Sequence, residues 1–382
     1  MIKFVALGAG LLLACGCAQS EVLAPAASFP LGASEQLMDV ANIGIARDGA
    51  AACIVGSGVN DEDAAVHSSV TLADLGQKKT SWTRKIAPPD STANVYAIAC
   101  AFEGNHLYVL ANADSQRAMA NSQSLVYVYK FALNGELLKH AAIPVASRSR
   151  VAIDMLAQGN KLTVLGYGKD EDAKNEYYSM FITSFDEALA FQTRVMKDGG
   201  YSQYSAVRQV GNHLHIGGEF LPKSISKDDL PLDYAISKIK QGGGYLWSTR
   251  PKHKFVTASD NIATAVGTDG AAYSLSQNRG DTSLIAVDAN GNAAPARTYK
   301  SRFCKLKTFT GDARGLLAIR ESCPGAKRKN TLVRIDPAAA TEQPLDILGA
   351  EPSFVTTTQT HWYGVGASAG KLTLSFGTIA GR

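Results

Sequence analysis

Short runs in which apolar and polar residues alternate recur along almost the whole chain. Four such runs lie between Val95 and Ile143, where two tight turns and one longer polar loop separate them. An alternation of period two is typical of β-strands that are packed between layers. No apolar pattern of helical period and useful length follows Cys17. The pattern therefore predicts an all-β chain.

A tight turn, usually rich in glycine and asparagine, marks the first connection of each repeat. Two-residue hairpin loops need positive φ, which these two residue types adopt readily. The seven markers begin at Arg47, Glu103, Gln158, Val210, Thr268, Gly311 and Gln359. A spacing of roughly 40 to 60 residues is that of a four-stranded propeller blade with a variable loop. The sequence therefore predicts a closed β-propeller, with seven four-stranded blades favoured and six or eight left open.

The seventh repeat holds only three predicted strands, of which the last is Leu372–Phe376. Because a propeller has to close, an N-terminal strand is expected to complete the last blade. Either Ala27–Leu31 or the region up to Val40 can supply it. Residues 32–382 are then expected to form a single propeller domain, preceded by a tether at 15–31 that is rich in alanine and proline.

The N-terminus has the features of an export signal. Lys3 precedes an apolar run, Phe4–Leu13, that is too short for a bilayer, since spanning needs about 20 residues. The segment Leu12–Cys15 resembles the lipobox of bacterial lipoproteins, whose cysteine is acylated, and Cys17 offers a second register. The resemblance implies a signal peptide at 1–14 and a lipid on Cys15 or, alternatively, Cys17. It also implies a cell-envelope anchor, with the outer membrane favoured because Asp follows neither cysteine. A plain secretory signal is the alternative.

Four cysteines lie beyond the signal, and an even number in an exported chain permits disulfides. Cys304 begins one predicted strand and Cys323 ends the next, so the two can face each other across a hairpin. Cys53 and Cys100 lie in adjacent repeats and pair by elimination. Buried free thiols are the alternative for all four.

One repeat resembles those of known bacterial propellers. The segment Asp233–Ser248 reads DYAISKIKQGGGYLWS, in which a strand ending in lysines is followed by a glycine turn and Leu-Trp-Ser. It resembles the quinoprotein-like (PQQ-type) repeats and those of the propeller lipoproteins of the outer-membrane barrel-assembly machinery. A second tryptophan, Trp82, lies in the fourth strand of another repeat. The resemblance covers the repeats from about Ala41 to Ile379 and implies a bacterial β-propeller lipoprotein.

The long loop of each repeat is its second connection, and all second connections of a propeller open on one face. Several carry charge clusters, acidic in the first, third and fourth repeats and basic in the sixth. These residues are Asp61, Glu62, Asp63, Asp170, Glu171, Asp172, Asp228, Asp229, Lys327, Arg328 and Lys329. Loops on a rigid scaffold commonly carry function, and a face with both signs of charge steers partners. We therefore take these loops as the candidate binding face, with solvated loop tips as the alternative.

No motif in the mature chain predicts catalysis or a cofactor. His106, His213 and His361 occupy the same place in three repeats, so we expect them on different blades, too far apart to share a zinc ion. Gly366–Gly370 matches G-x-S-x-G, but it joins two predicted strands rather than a strand and a helix. The acidic clusters lack a complete calcium-binding loop. A net charge of +4 is too small to indicate a nucleic-acid partner. We expect no catalytic residues, no cofactor and no metal.

The sequence thus favours a lipid-anchored envelope propeller that binds a protein partner, as a scaffold or accessory subunit without catalysis. The alternative is a propeller enzyme or small-ligand binder that uses the central channel. It would be similar to a quinoprotein or to a metal-dependent lactonase.

Overall fold

The computed structural model describes residues 25–33, 39–59, 66–87, 94–114, 125–143, 150–169, 178–196, 200–222, 233–240, 244–252, 261–278, 280–312, 315–323, 329–346, 348–368 and 371–379. These residues form 28 β-strands in seven four-stranded antiparallel sheets. Over these ranges the chain has no helix, and hence none that is long and apolar enough to cross a membrane. The protein is a seven-bladed β-propeller, which confirms the predicted fold class.

Each blade is built from four strands that are consecutive in the chain, except the last. Blade 1 contains β2 (Asp39–Ile45), β3 (Ala51–Val59), β4 (Val66–Asp74) and β5 (Lys79–Ile86). Blade 2 contains β6 (Asn94–Glu103), β7 (His106–Asp114), β8 (Leu125–Ala132) and β9 (Leu137–Ala142). Blade 3 contains β10 (Arg150–Gln158), β11 (Lys161–Lys169), β12 (Tyr178–Asp186) and β13 (Phe191–Met196).

The remaining blades follow the same order. Blade 4 contains β14 (Gly200–Val210), β15 (His213–Pro222), β16 (Asp233–Lys240) and β17 (Tyr245–Thr249). Blade 5 contains β18 (Asn261–Val266), β19 (Ala272–Asn278), β20 (Asp281–Val287) and β21 (Arg297–Lys300). Blade 6 contains β22 (Phe303–Asp312), β23 (Gly315–Ser322), β24 (Asn330–Asp336) and β25 (Thr341–Leu345). Blade 7 contains β26 (Glu351–Thr357), β27 (His361–Ser368), β28 (Lys371–Thr378) and β1 (Ala27–Ala33).

The N-terminal strand closes the ring. β1 pairs antiparallel with β28, with Ala27 opposite Phe376 and Pro30 opposite Thr373. Phe29 of β1 is buried in the apolar cluster between blades 7 and 1, together with Ile54 and other side chains of β3. The segment 27–31 therefore completes the last blade, as predicted. Because Ala27–Ala33 is a strand of blade 7, the expected boundary between a tether at 15–31 and a propeller at 32–382 is wrong: the propeller includes residues from Ala27 onwards.

The hydrophobic core is divided among the interfaces between blades. Leu110 and Val128 of blade 2, for example, pack with Val164 and Phe181 of blade 3. Both faces of a blade are thus covered by its neighbours, so the inner strands are buried in continuous runs, such as Leu107–Ala111 of β7, rather than at alternate positions. The first strands of successive blades contact one another in a closed circle and surround the central channel.

Two disulfides fasten the propeller. Cys53 of β3 is bonded to Cys100 of β6, which ties blade 1 to the innermost strand of blade 2. Cys304 of β22 is bonded to Cys323, just after β23, within blade 6. Both predicted pairings are confirmed. Disulfides form and persist in oxidising compartments, so they indicate an exported protein.

The buried disulfide requires a glycine beside it. A Cβ atom at Gly44 would lie 2.2 Å from the carbonyl oxygen of Cys100 and 2.7 Å from the Sγ atom of Cys53. Both distances are below any real contact, so only glycine lets β2 pass the bridge.

A buried ion pair within blade 6 is hydrogen-bonded to blade 5. The Arg320 guanidinium has no solvent exposure, and its Nη2 atom lies 3.6 Å from Oε2 of Glu342. The same nitrogen donates to the hydroxyls of Ser301 at 3.0 Å and Thr282 at 3.3 Å. Burial lowers the pKa of Arg320, whereas the charge of Glu342 acts to raise it. The pair fixes β23 against blade 5.

The outermost strand of a blade contacts the third connection of the next blade. Trp247 donates its indole N–H to the carbonyl oxygen of Ala289 at 3.3 Å, and a Cβ on Gly291 would come within 2.7 Å of the indole ring. In blade 2, the Lys139 ammonium donates to the carbonyl oxygen of Ala188 at 2.6 Å in the same way. Trp82 of blade 1 donates to the carbonyl oxygen of Leu133 in blade 2, so both tryptophans noted in the sequence connect neighbouring blades.

Candidate functional site

The connections of the blades open on two opposite faces of the disc. Because the strands of a blade run antiparallel, its first and third connections share one face, which we call the turn face. The second connections open on the other face, which we call the loop face. In blade 2, for example, residues 104–105 and 133–136 lie on the turn face.

The charged loops predicted as the binding face belong to the loop face, and nearly all of their residues lie outside the described ranges. Those outside are Asp61, Glu62, Asp63, Asp170, Glu171, Asp172, Asp228, Asp229, Lys327 and Arg328, together with Cys15 and Cys17. Lys329 is described and exposed, and its backbone N–H donates to Oγ of Ser322 at 3.1 Å. It borders a cavity of about 480 Å³ between blades 6 and 7. The binding-face hypothesis stays a prediction.

The three repeated histidines lie on three blades, as the repeat predicts. His106, His213 and His361 each begin the second strand of their blade. Across the described ranges, no group of three His, Cys, Asp or Glu side chains is placed to hold a metal ion.

Exposed apolar side chains concentrate on one part of the rim. Every large apolar residue that is exposed in the described structure lies on blade 2, 3 or 4, and the exposed fractions are 42% to 48%. These residues are Leu133, Leu137, Leu138, Phe191 and Leu246. Leu133 lies in a third connection, and the others lie in the first two residues of β9, β13 and β17. They therefore share one height, at the turn-face end of three neighbouring blades, and we call them the apolar edge.

The local sequence explains why these side chains stay outside. Leu137 and Leu138 are adjacent in β9, so they point to opposite sides of the strand and cannot both enter one interface between blades. Five of the six residues of β9 are exposed. The paired leucines break the alternation seen elsewhere. That break is a sequence signal for the blade 2 part of the apolar edge, and the sequence prediction above did not include it.

The turn-face mouth of the channel is a concave surface beside the apolar edge. Its cavity of about 960 Å³ is lined by the first turns of blades 1 to 4 and by Leu133. Phe102 and Leu156 contribute apolar wall. The turns are linked to one another, since Oε1 of Glu103 accepts the backbone N–H of Asn160 at 2.8 Å. The mouth is therefore a preformed surface that meets the apolar edge at Leu133.

Six of the seven innermost strands carry a β-bulge at a similar height. The extra residues are Ala41, Ile98, Ile153, Ser205, Lys307 and Ser353. Bulges bend a strand and change the direction of its side chains, and they are common next to binding sites. Four of these residues, Ala41, Ile98, Ile153 and Lys307, line a cavity of about 540 Å³ in the channel.

Asp154 follows the bulge of blade 3 and lines this channel cavity. Burial raises the pKa of its carboxyl group to about 7, although the backbone N–H of Met155, 2.8 Å from Oδ1, acts to lower it. The residues that follow the other bulges are Asn42, Ala99, Ala206, Thr308 and Phe354. Among these positions after a bulge, only that of blade 3 carries an ionisable side chain.

Arg208 lies where the mouth meets the channel cavity, since it lines both. Its Nη1 atom donates to the carbonyl oxygen of Val266 at 2.8 Å, and its Nη2 atom donates to that of Thr357 at 3.0 Å. The guanidinium therefore connects blade 4 with blades 5 and 7 near the turn face. This contact is not visible in the sequence, because its partners are distant along the chain.

The comparisons with known proteins show a shared fold. No family model matches the sequence, and a search of curated proteins finds no significant match. Among solved structures, a puromycin hydrolase mutant complexed with PGG is similar, at 12% identity and a TM-score of 0.54, over 88% of this chain and 51% of that chain. An α-L-arabinofuranosidase from Fusarium graminearum, in complex with an iminosugar inhibitor, is similar at 10% identity and a TM-score of 0.50, over 83% of this chain and 99% of that chain. The chain spans about half the length of the puromycin hydrolase chain. At such low identity, the likeness establishes the β-propeller fold alone.

Proposed function

We propose that this protein is a lipid-anchored β-propeller of the bacterial cell envelope that binds a protein partner, as a scaffold or accessory subunit without catalysis. The apolar edge is the observation that carries the proposal. Its five side chains come from three neighbouring blades and lie at one height, and one of them, Leu133, borders a preformed concave mouth. A surface of this kind on a folded protein marks an interaction site.

The apolar edge has the composition of the centre of a protein interface. Burying an exposed leucine or phenylalanine completely stabilises a complex by about 1.5 to 3 kcal/mol, and about half of each side chain here is still accessible. A few such residues commonly supply most of the binding energy of an interface. Phe191 is already supported from behind, because its ring lies 6.2 Å from that of Phe185 in an edge-to-face contact. Support of this kind lowers the entropic cost of ordering side chains on binding.

Export and anchoring complete the proposal. The disulfides Cys53–Cys100 and Cys304–Cys323 agree with an oxidising compartment. The similarity of Leu12–Cys15 to a lipobox supports acylation at Cys15, with Cys17 as the alternative, and the outer membrane as the address. The partner would then be another envelope protein.

The charged loops of the loop face provide a second contact in this proposal. Acidic clusters such as Asp61–Asp63 and the basic cluster Lys327–Lys329 belong to different blades. Such a distribution orients an approaching partner and speeds its association more than it strengthens the complex. Reversal of the three basic residues to glutamate is expected to slow capture of the partner and to leave folding intact.

Crosslinking in native envelopes tests where the partner binds. A photoreactive residue is placed at Leu137, Phe191 or Leu246 and, as controls, at Thr298 of β21 or Gln343 of β25, which are also exposed on outermost strands. We expect one and the same protein to crosslink from the three edge positions and not from the controls. Identical adducts from edge and control positions, or none from the edge, would exclude docking on the apolar edge.

A second candidate function is favoured by the channel. A carboxyl group such as that of Asp154, with a strongly shifted pKa in a cavity, is a frequent property of binding and catalytic sites. This observation supports ligand binding in the channel, with or without chemistry, beside the protein-binding role.

A further inference from the structure

We propose that the channel cavity binds a small zwitterion, such as an amino acid or a short peptide, with its ammonium group on Asp154 and its carboxylate towards Lys307. This site lies inside the ring, whereas the partner proposed above docks on the rim. The inference therefore goes beyond the proposed function and stands independently of it.

The cavity has the size and the construction of a small-molecule site. Its volume of about 540 Å³ falls within the range of roughly 300 to 1,000 Å³ that is usual for ligand pockets. Residues of all seven innermost strands line it, and the bulges bring side chains from several blades to one height. Because these strands are held in a closed ring, the cavity is formed before any ligand arrives.

Asp154 supplies a negative group that lacks a cationic partner. Among the described residues, its hydrogen bond comes from the backbone N–H of Met155, and no ion pair joins it to any of them. Burial disfavours its ionised form, and no nearby positive charge offsets that effect. A ligand ammonium group would supply the missing charge and restore the carboxylate.

Lys307 supplies a positive group on the opposite wall. In a ring of seven blades, blade 3 faces blades 6 and 7, so Asp154 and Lys307 lie across the channel from each other. Lys307 is the bulge residue of β22 and is exposed. The two charges are therefore separated rather than paired.

Because the cavity has a negative group and a positive group on opposite walls, it favours a ligand that carries both a positive and a negative charge. A simple cation would satisfy Asp154 but leave Lys307, and also Arg208, facing a positive ligand. A simple anion would face the carboxylate. Between the charged walls, Ile98, Ile153 and Phe354 provide apolar surface for a carbon skeleton. An amino acid or short peptide with free termini has all three features.

Two pools of probes decide the class of ligand. The full-length chain, purified in detergent, is mixed with a pool of free amino acids or with a pool of dipeptides, and saturation-transfer NMR identifies any binder. Binding from the first pool alone assigns the site to free amino acids, and binding from the second assigns it to peptide termini. Each probe is present at about 10 mM, a concentration at which complexes with a Kd above about 1 mM are still detected. If neither pool contains a binder, the proposal is overturned.

Capped forms of the best binder test the two charged contacts. We expect N-acetylation and C-amidation each to weaken binding at least about tenfold in calorimetry. Asp154→Asn should remove the effect of N-acetylation, and Lys307→Gln should remove the effect of amidation. Thr298→Ala, on the rim, is the matched control and should leave the affinity unchanged.

The variants also separate this site from the docking surface. Asp154→Asn and Lys307→Gln preserve side-chain size, so a thermal melt is expected to show that both still fold, and crosslinking from the apolar edge should continue. Equal affinity of capped and uncapped ligands, or of wild type and both variants, contradicts the inference.

Discussion

Trp82 in the outermost strand of blade 1 donates its indole N–H to the carbonyl oxygen of Leu133 in blade 2, at a distance of 2.7 Å. The side chain of Leu133 is 42% exposed and borders the mouth of the channel. The backbone of Leu133 is thus fixed by the neighbouring blade while its side chain faces solvent. One end of the apolar edge therefore lies on a rigid support, which suits it for binding.

The contact between Trp82 and the turn of blade 2 predicts a specific cost for Gly135→Ala. Gly135 has a φ of 87°, and a Cβ there would lie 3.0 Å from the indole ring. Gly104→Ala is the matched control, since its φ is 56° and a Cβ there meets nothing within 4 Å. Backbone strain should cost both variants about 1 kcal/mol of unfolding free energy, and Gly135→Ala should lose about 1 kcal/mol more. Equal losses in urea denaturation would show that Trp82 does not restrict this turn.

The ion pair between Arg320 and Glu342 predicts strong coupling. Glu342→Leu leaves the buried guanidinium without its counter-ion and should lower the free energy of unfolding by about 3 to 5 kcal/mol. Arg320→Met leaves the carboxylate unpaired and should also destabilise the protein. The double variant removes both charges and should lose clearly less than the sum of the two single losses. A double-mutant cycle measured by urea denaturation checks this, and additive losses would contradict it.

The two disulfides should differ in their reaction with a reductant. Cys53 is fully buried and Cys100 nearly so, whereas Cys304 and Cys323 are partly exposed. Under native conditions, dithiothreitol should therefore reduce the bridge of blade 6 first and leave the bridge between blades 1 and 2 intact until the propeller opens. Mass spectrometry after alkylation distinguishes the two pairs. Simultaneous reduction of both would mean that blades 1 and 2 separate readily.

Asp154 predicts a pH dependence of stability that an asparagine removes. The pKa of its carboxyl group is about 7 in the folded protein, against an ordinary value of 3.8. Between pH 3.8 and pH 7, the folded state therefore keeps a proton that the unfolded state has lost. Stability is therefore lost as the pH rises from about 4 to 7, by at most about 4 kcal/mol, and changes little above. Asp154→Asn should be more stable than wild type at pH 8 and not at pH 4. An equal difference at both pH values would show that the carboxyl titrates normally.

His215 predicts the opposite dependence at lower pH. Its pKa is lowered to about 4, first by burial and then by the charges of Lys238 and His213, although Asp269 acts to raise it. The unfolded state takes up a proton near pH 6.5 and the folded state does so near pH 4, so stability is lost as the pH falls between these values. The ring also packs against Trp247 at 5.8 Å. His215→Gln should flatten this part of the stability curve, as chemical denaturation at pH 7 and pH 4.5 can measure.

The sequence predicted those parts of the fold that rest on local pattern. The alternating run Leu125–Phe131 forms a strand, observed as Leu125–Ala132, and Cys304 and Cys323 are paired because a hairpin brings them together. The channel could not be predicted in this way, since a bulge such as that at Ile153 adds one residue without changing the apolar pattern visibly. The buried state of Arg320 depends on partners from a neighbouring blade.

The candidate site, like the fold, could be predicted from the sequence only in part. The charged loops were found because charge clusters are visible in sequence, and Lys329 alone among the residues named there falls in the described ranges. The apolar edge comprises Leu133, Phe191 and Leu246 among others, which are far apart in the chain and share one height because each follows or lies in a third connection. Their shared height follows from where the fourth strand of each blade begins, which the sequence alone does not show.

The most direct measurement is the affinity of the purified protein for the partner that crosslinks to the apolar edge. The triple variant Leu137→Ser, Phe191→Ser, Leu246→Ser should bind that partner at least about tenfold more weakly, because apolar burial at the interface is lost. The control triple Thr298→Ser, Lys300→Ser, Gln343→Ser, on the outermost strands of blades 5 and 6, should bind as wild type does. If the edge triple binds normally while reversal of Lys327, Arg328 and Lys329 to glutamate abolishes binding, the partner docks on the loop face and the central claim is wrong.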